Sequence, residues 1–193
     1  MKKVILAGLV ITCGGLMAND YYVNLGVGNY DFSRQITKVS TNTVWDTSDD
    51  GGFQSITFGY KINDKYRTGV TYYNINDAKN VDIFHSEIFV DYIIPTETVI
   101  KPFLGASIGY LSDKESGLTA LNHTPDSVEI KGMAYGVRAG LSWNFTDKMF
   151  AEICYAHKKV NADGTTTGLL SGSKYNWEVD EAKGFSLGFG YKF

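Results

Sequence analysis

Along most of the chain, bulky apolar side chains alternate with small or polar ones. Over residues 184–193, Phe185, Leu187, Phe189, Tyr191 and Phe193 take the odd positions, and Gly184, Ser186, Gly188 and Gly190 take most of the even ones. A period of two puts successive side chains on opposite faces of a strand. The same alternation marks residues 21–30, 53–61, 66–75, 81–93, 100–111, 130–145 and 149–157. In each, one face is greasy (Val23, Leu25 and Val27 in the first; Val137 and Leu141 in the sixth) and the other carries Gly, Ser, Thr or charge. A soluble sheet packs its bulky face into a core. A membrane barrel turns that face to lipid and keeps small and polar residues for a crowded lumen. The pattern therefore predicts an all-β protein, an eight-stranded antiparallel up-and-down transmembrane β-barrel.

The connections alternate in length, which carries topology. Residues 62–65, 95–98 and 146–148 read as tight turns. Residues 33–52, 112–129 and 158–179 read as long polar loops, with 76–80 as the one short connection on their side. Short turns on the periplasmic side and long loops outside are the outer-membrane arrangement. An even strand number then puts both mature termini in the periplasm. Aromatics agree with this frame. Tyr21, Tyr60, Tyr66, Tyr92, Trp143, Phe145, Tyr191 and Phe193 sit at the short-turn ends of their strands on the outward parity, as an interfacial girdle would. Tyr72, Phe84, Tyr110, Tyr135 and Tyr155 are placed for the opposite girdle.

The N-terminus reads as an export signal. Met1-Lys2-Lys3 is basic, residues 4–12 are apolar but too few to span a bilayer as a helix, and small residues precede Asn19. The expected division is a cleaved signal peptide over 1–18 and a barrel over 19–193. A lipoprotein signal with Cys13 lipidated is the alternative, with Thr12 a poor residue before that cysteine. Cys154 is then the only cysteine of the mature chain and is read as a small lumen filler.

Composition narrows the function classes. Without Lys2 and Lys3, sixteen of the 18 basic residues remain against 21 acidic ones, a net charge of about −5. That disfavours nucleic acid as a partner. Thirteen Tyr and 21 Gly with only 3 Pro suit a barrel that needs anchors outside and room inside. The chain is slightly polar on average, as expected when only alternate residues face lipid.

Residues 100–110, IKPFLGASIGY, resemble the fifth strand of the small outer-membrane β-barrel family, which includes the OmpA-type transmembrane domain and the opacity and surface-antigen proteins. Residues 134–141 resemble that family's Gly-rich sixth strand, and residues 146–155 its T-D-K turn and seventh strand. Ser186, Gly188, Tyr191 and Phe193 have the polar-x-Gly-x-x-aromatic-x-Phe spacing that resembles the family's C-terminal insertion signal, read by the barrel-assembly machinery. The resemblance implies a fold and a place in the outer membrane of a Gram-negative bacterium, among lipid and lipopolysaccharide, but no single activity.

Glu87, Lys101, Arg138 and Glu152 fall on inward parity and are expected to form an ion-pair cluster. Buried charges must be paired. In OmpA-type barrels such a cluster closes the lumen and gates a small pore, so a narrow gated pore is the alternative to a structural plug. An eight-stranded barrel has no space for a general solute channel. A lipid A-modifying enzyme is disfavoured. Tyr155-Ala156-His157 resembles the deacylase type, but Lys159 stands where its Ser nucleophile belongs, and neither Ser171 nor Ser173 is spaced to pair with His157. His85, His123 and His157 lack metal-ligand spacing, and the acidic runs 46–50 and 180–181 read as solvated. No catalytic residue, metal or cofactor is expected. Lys158 and Lys159 are candidates for lipopolysaccharide phosphates or a solvated loop edge. The expected protein is a monomeric, non-enzymatic, surface-exposed barrel whose long loops meet host or envelope partners.

Overall fold

The computed structural model describes residues 20–77, 81–115, 128–167 and 174–193, with backbone alone at 49, 76, 77, 81–84, 113–115, 128, 166 and 167. The expected export segment 1–18 with Cys13, and His123, Ser171 and Ser173, lie outside the described residues.

Eight antiparallel strands close on themselves: β1 (Tyr21–Lys38), β2 (Thr43–Lys61), β3 (Tyr66–Asp77), β4 (Val81–Ile93), β5 (Ile100–Glu115), β6 (Val128–Asn144), β7 (Met149–Thr167) and β8 (Lys174–Lys192). Neighbours in sequence are neighbours in the sheet, and β8 pairs with β1. The amide of Phe193 donates to the Tyr21 carbonyl at 3.0 Å, just beyond the end of that seam. Closure leaves no unpaired strand edge.

The tight turns are fixed by side chains that replace missing backbone partners. Asn63 Oδ1 accepts from the amides of Lys65 (2.8 Å) and Tyr66 (2.9 Å). Thr146 Oγ1 accepts from the amides of Lys148 (3.2 Å) and Met149 (2.9 Å).

At the opposite end the strands run on into segments expected as loops, among the described residues. β1 and β2 stay paired out to Lys38 and Thr43, and β7 and β8 to Thr167 and Lys174. β5 and β6 likewise run to Glu115 and Val128. Polar residues on the outer face, such as Lys159, Asn161, Asn176 and Glu178, hid these extensions, because they remove the apolar alternation that marks the rest of the wall. Local bonds still favour pairing: Gln35 Nε2 donates to Asp46 Oδ1 at 3.0 Å, and Asn42 takes the left-handed conformation (φ 51°) in the tip.

A bulge at Asp180 resets β8. Below it Ala182 and Gly184 face the axis, and above it Val179 and Trp177 do. Both are buried in an apolar plug that fills the long-hairpin half of the lumen with Tyr30, Phe53, Tyr73 and Ile75. Tyr30 stacks on Phe53 at 4.8 Å, and Tyr73 meets Phe53 edge-on at 5.2 Å. A lower layer of Tyr22, Phe89 and Phe150 lies towards the short turns.

The outer surface is inverted relative to a soluble protein. Leu25 (61% exposed), Leu187 (60%), Val137 (58%) and Ile88 (56%) belong to an apolar band around the whole barrel. Outward Asn29, Gln54 and Asn74 end that band on β1 to β3. Among the described residues no helix is long and apolar enough to cross a membrane.

Candidate functional site

Between the two apolar layers lies a buried ionic ladder. Arg67 on β3 stands opposite Asp91 on β4. Its Nε donates to Asp91 Oδ2 at 2.9 Å, and its Nη1 lies 2.7 Å from Glu152 Oε2 on β7. Arg138 on β6 reaches three acids: Asp91 Oδ1 through Nε (3.2 Å), Glu152 Oε1 through Nη2 (3.3 Å) and Glu87 Oε1 through Nη1 (3.6 Å). Lys158 on β7 closes the series, with Nζ 2.5 Å from Glu87 Oε2 and 3.1 Å from His85 Nε2. The Tyr73 hydroxyl donates to Glu87 Oε1 at 2.5 Å. Three cations thus face three carboxylates, and charge neutrality makes their burial tolerable.

Aromatic faces cover the cations. The Arg138 guanidinium lies 4.1 Å from the centre of Phe89, and that of Arg67 lies 4.4 Å from Phe103. Lys158 Nζ sits between Tyr30 (4.9 Å) and Tyr73 (4.7 Å). Glycines on β5 and β6 make the room. A Cβ on Gly105 would lie 2.0 Å from Asp91 Oδ1, and one on Gly136 would meet the Lys158 backbone at 2.6 Å. The Gly-rich inward face of these strands is the counterpart of large charged residues on β4 and β7.

The lumen is occluded. A central cavity of about 30 Å³, lined in part by Ser55, Glu87, Arg138 and Cys154, lies beside the ladder, room for about two waters; a smaller one of about 10 Å³ lies above it against His85 and Lys158. Below it, a vestibule of about 480 Å³ opens at the short-turn end.

Of the four residues expected in the cluster, Glu87, Arg138 and Glu152 come together. Lys101 does not: its inward side chain lies near the mouth and donates to the Thr96 carbonyl. Parity sets the face of the wall and leaves depth open, and Lys101 is one residue into its strand. Arg67, Asp91 and Lys158 complete the ladder. All three have inward parity in the sequence, so the signal for them was present. Lys158 is a correction, because it is buried in the lumen and does not meet lipopolysaccharide or a solvated edge; Lys159 remains outward and exposed. His157 is outward beside Glu181, which also pairs with Lys183 at 3.1 Å. Among the described residues no group of His, Cys, Asp and Glu is arranged to hold a metal.

Tyr21, Tyr60, Tyr66, Tyr92, Trp143, Phe145, Tyr191 and Phe193 are all exposed, outward and at the short-turn end. Neighbouring rings meet, as in Tyr21–Tyr60 (4.9 Å) and Trp143–Phe145 (4.4 Å). Tyr72, Tyr110, Tyr135 and Tyr155 are exposed higher up, whereas the Phe84 side chain lies outside the described ones. In the terminal strand Ser186 and Gly188 face the lumen, next to Cys154 and Asn24.

The fold is that of the small eight-stranded outer-membrane barrels. The chain is similar to the outer membrane protein OprG from Pseudomonas aeruginosa, with 17% identity, coverage of 91% of this chain and 96% of that one, and a TM-score of 0.72. It is similar to Neisserial surface protein A, with 18% identity, coverage of 90% and 97%, and a TM-score of 0.63. The N-terminal β-barrel domain of Pseudomonas aeruginosa OprF gives 16% identity, coverage of 87% and 97%, and a TM-score of 0.51. No protein-family model matches the chain, and no curated protein matches it in sequence.

Proposed function

We propose that the chain is a monomeric, non-enzymatic barrel of a Gram-negative outer membrane, carrying stiff hairpins on the cell surface for envelope or host contacts. The exposed apolar band supports this reading most directly. A soluble protein does not expose a continuous girdle of Leu, Val, Ile and Phe, and a closed barrel satisfies every strand edge within lipid. In this reading the short turns and both mature termini face the periplasm, after removal of residues 1–18. The aromatic rings sit among lipid and lipopolysaccharide headgroups, and Ser186, Gly188, Tyr191 and Phe193 engage the barrel-assembly machinery. The ladder and the apolar plug serve as a structural core, since together they fill the lumen that a pore would need.

Cysteine labelling in whole cells tests the reading, in a Cys154→Ser background. Thr41→Cys at the tip of the first hairpin should react with an impermeant maleimide in intact cells. Asp147→Cys in the last tight turn should react only after the outer membrane is permeabilised. Equal reactivity of the two, or the reverse order, contradicts the proposed orientation.

A further inference from the structure

The vestibule at the short-turn end has a function of its own to explain. Its size is that of a small-molecule site. Its floor is aromatic, made by Tyr22, Phe103 and Phe150, with Tyr22 and Phe150 edge to face at 5.6 Å. Its wall carries an excess of basic groups, Lys61, Lys65, Arg67, Lys101 and Lys192 against Asp20, Asp64 and Asp147. Lys61 is committed to Asp64 at 2.7 Å, and Arg67 to the ladder. Lys101 and Lys192 differ from both: among the described residues neither makes an ion pair. Lys101 Nζ donates to the Thr96 carbonyl, and Lys192 Nζ reaches from β8 to Asn144 Oδ1 on β6 at 2.5 Å. Asn144 and Ser142, which pairs with Lys101, are inward neighbours on one strand. The two ammonium groups therefore flank the same wall of one cavity, each held by a neutral oxygen. Lys192 Nζ also lies 5.5 Å from the centre of the Phe150 ring. Two lysines hydrogen-bonded only to neutral oxygens beside an aromatic floor offer unpaired ammonium groups next to an apolar seat, with Asp20 and Asp147 also on the lining.

We infer that this vestibule binds a small organic anion, a carboxylate or phosphate carrying a compact apolar group, with Lys101 and Lys192 on the anion and Phe150 and Tyr22 under the apolar part. An anion would gain charge-assisted hydrogen bonds in place of neutral ones. That the mouth opens to the periplasm rests on the function proposed above, whereas binding at the mouth does not.

The test is a titration of the full barrel, refolded in a non-ionic maltoside micelle, followed by amide chemical shifts. The probes are 3-phenylpropionate, its uncharged amide, and inorganic phosphate. The carboxylate should give saturable shifts at Lys101, Asn144 and Lys192. The amide should bind at least tenfold more weakly, and phosphate should compete. Lys101→Gln/Lys192→Gln should weaken carboxylate binding at least tenfold while keeping the gel mobility of the folded barrel, because both lysines have only neutral partners. Absence of saturation, equal affinity for the amide, unchanged affinity in the double variant, or shifts confined to the outward rings Trp143 and Phe145 would overturn the inference. A wrong orientation in the membrane would leave these results intact and show only in the labelling experiment.

Discussion

Removing Arg138 tests the balance of the ladder. Its guanidinium serves Asp91, Glu152 and Glu87 at 3.2, 3.3 and 3.6 Å, and its plane lies on Phe89. Arg138→Met keeps much of the volume but leaves two cations against three carboxylates. Breaking a buried pair in this way costs about 3–5 kcal/mol, because the stranded carboxylate stays desolvated. Asp91→Asn makes the opposite error, three cations against two carboxylates, and Asp91 is 0% exposed. Arg67 retains Glu152 at 2.7 Å in that variant, so its cost should fall at the lower end of the range. The double variant restores neutrality. Its cost should undercut the sum of the singles by about 2 kcal/mol, within the usual coupling of contacting charged residues. Urea unfolding in phospholipid vesicles, followed by the gel shift between folded and boiled forms, measures all three. Singles that each cost less than about 1 kcal/mol, or a strictly additive double, would refute the argument that the ladder is dry and mutually compensating.

Gly105→Ala should destabilise the barrel by about 1–3 kcal/mol through overpacking in the same assay, since the new methyl meets both the Asp91 carboxylate and, at 2.6 Å, the Val90 carbonyl. Cys154 lies buried in the lumen wall, so a soluble thiol reagent should modify the folded barrel far more slowly than the urea-unfolded chain; equal rates would mean an open lumen. In planar bilayers the folded protein should show no steady conductance, because plug and ladder break the lumen into small cavities, the central one about 30 Å³. In the exposed turn, Lys61 donates to Asp64 at 2.7 Å and holds that carboxyl below the usual range. A lowered native value stabilises the turn above the unfolded carboxyl's value, and the benefit is lost as pH falls through the lowered one. Carboxyl titration by NMR should show the depression, and Lys61→Met should abolish it.

The barrel was legible because lipid and lumen impose opposite demands on alternate residues. Leu187 beside Gly188 or Val137 beside Arg138 leaves no choice of face. Beyond the exposed apolar band that alternation lapses, and residues such as Thr37, Thr43 and Thr47 gave no pattern to read although they are paired strand. The parity flip at Asp180 was invisible for the same reason, so Trp177 and Val179 could not be assigned to the plug. Within the lumen the sequence named the face of each charge but not its height. Glu87, Arg138 and Glu152 meet because strand stagger brings their levels together, while Lys101 sits too low. Register across strands carries that information, and one strand read alone does not contain it.

Nitroxide scanning in vesicles addresses the central claim most directly. Single labels at Leu25, Ile88, Val137 and Leu187, in a background without Cys154, should relax strongly with oxygen and weakly with a water-soluble nickel chelate. Labels at inward Thr71 and Ser107 should be shielded from both. Strong nickel access around the outward belt would mean that water, and not lipid, surrounds the barrel.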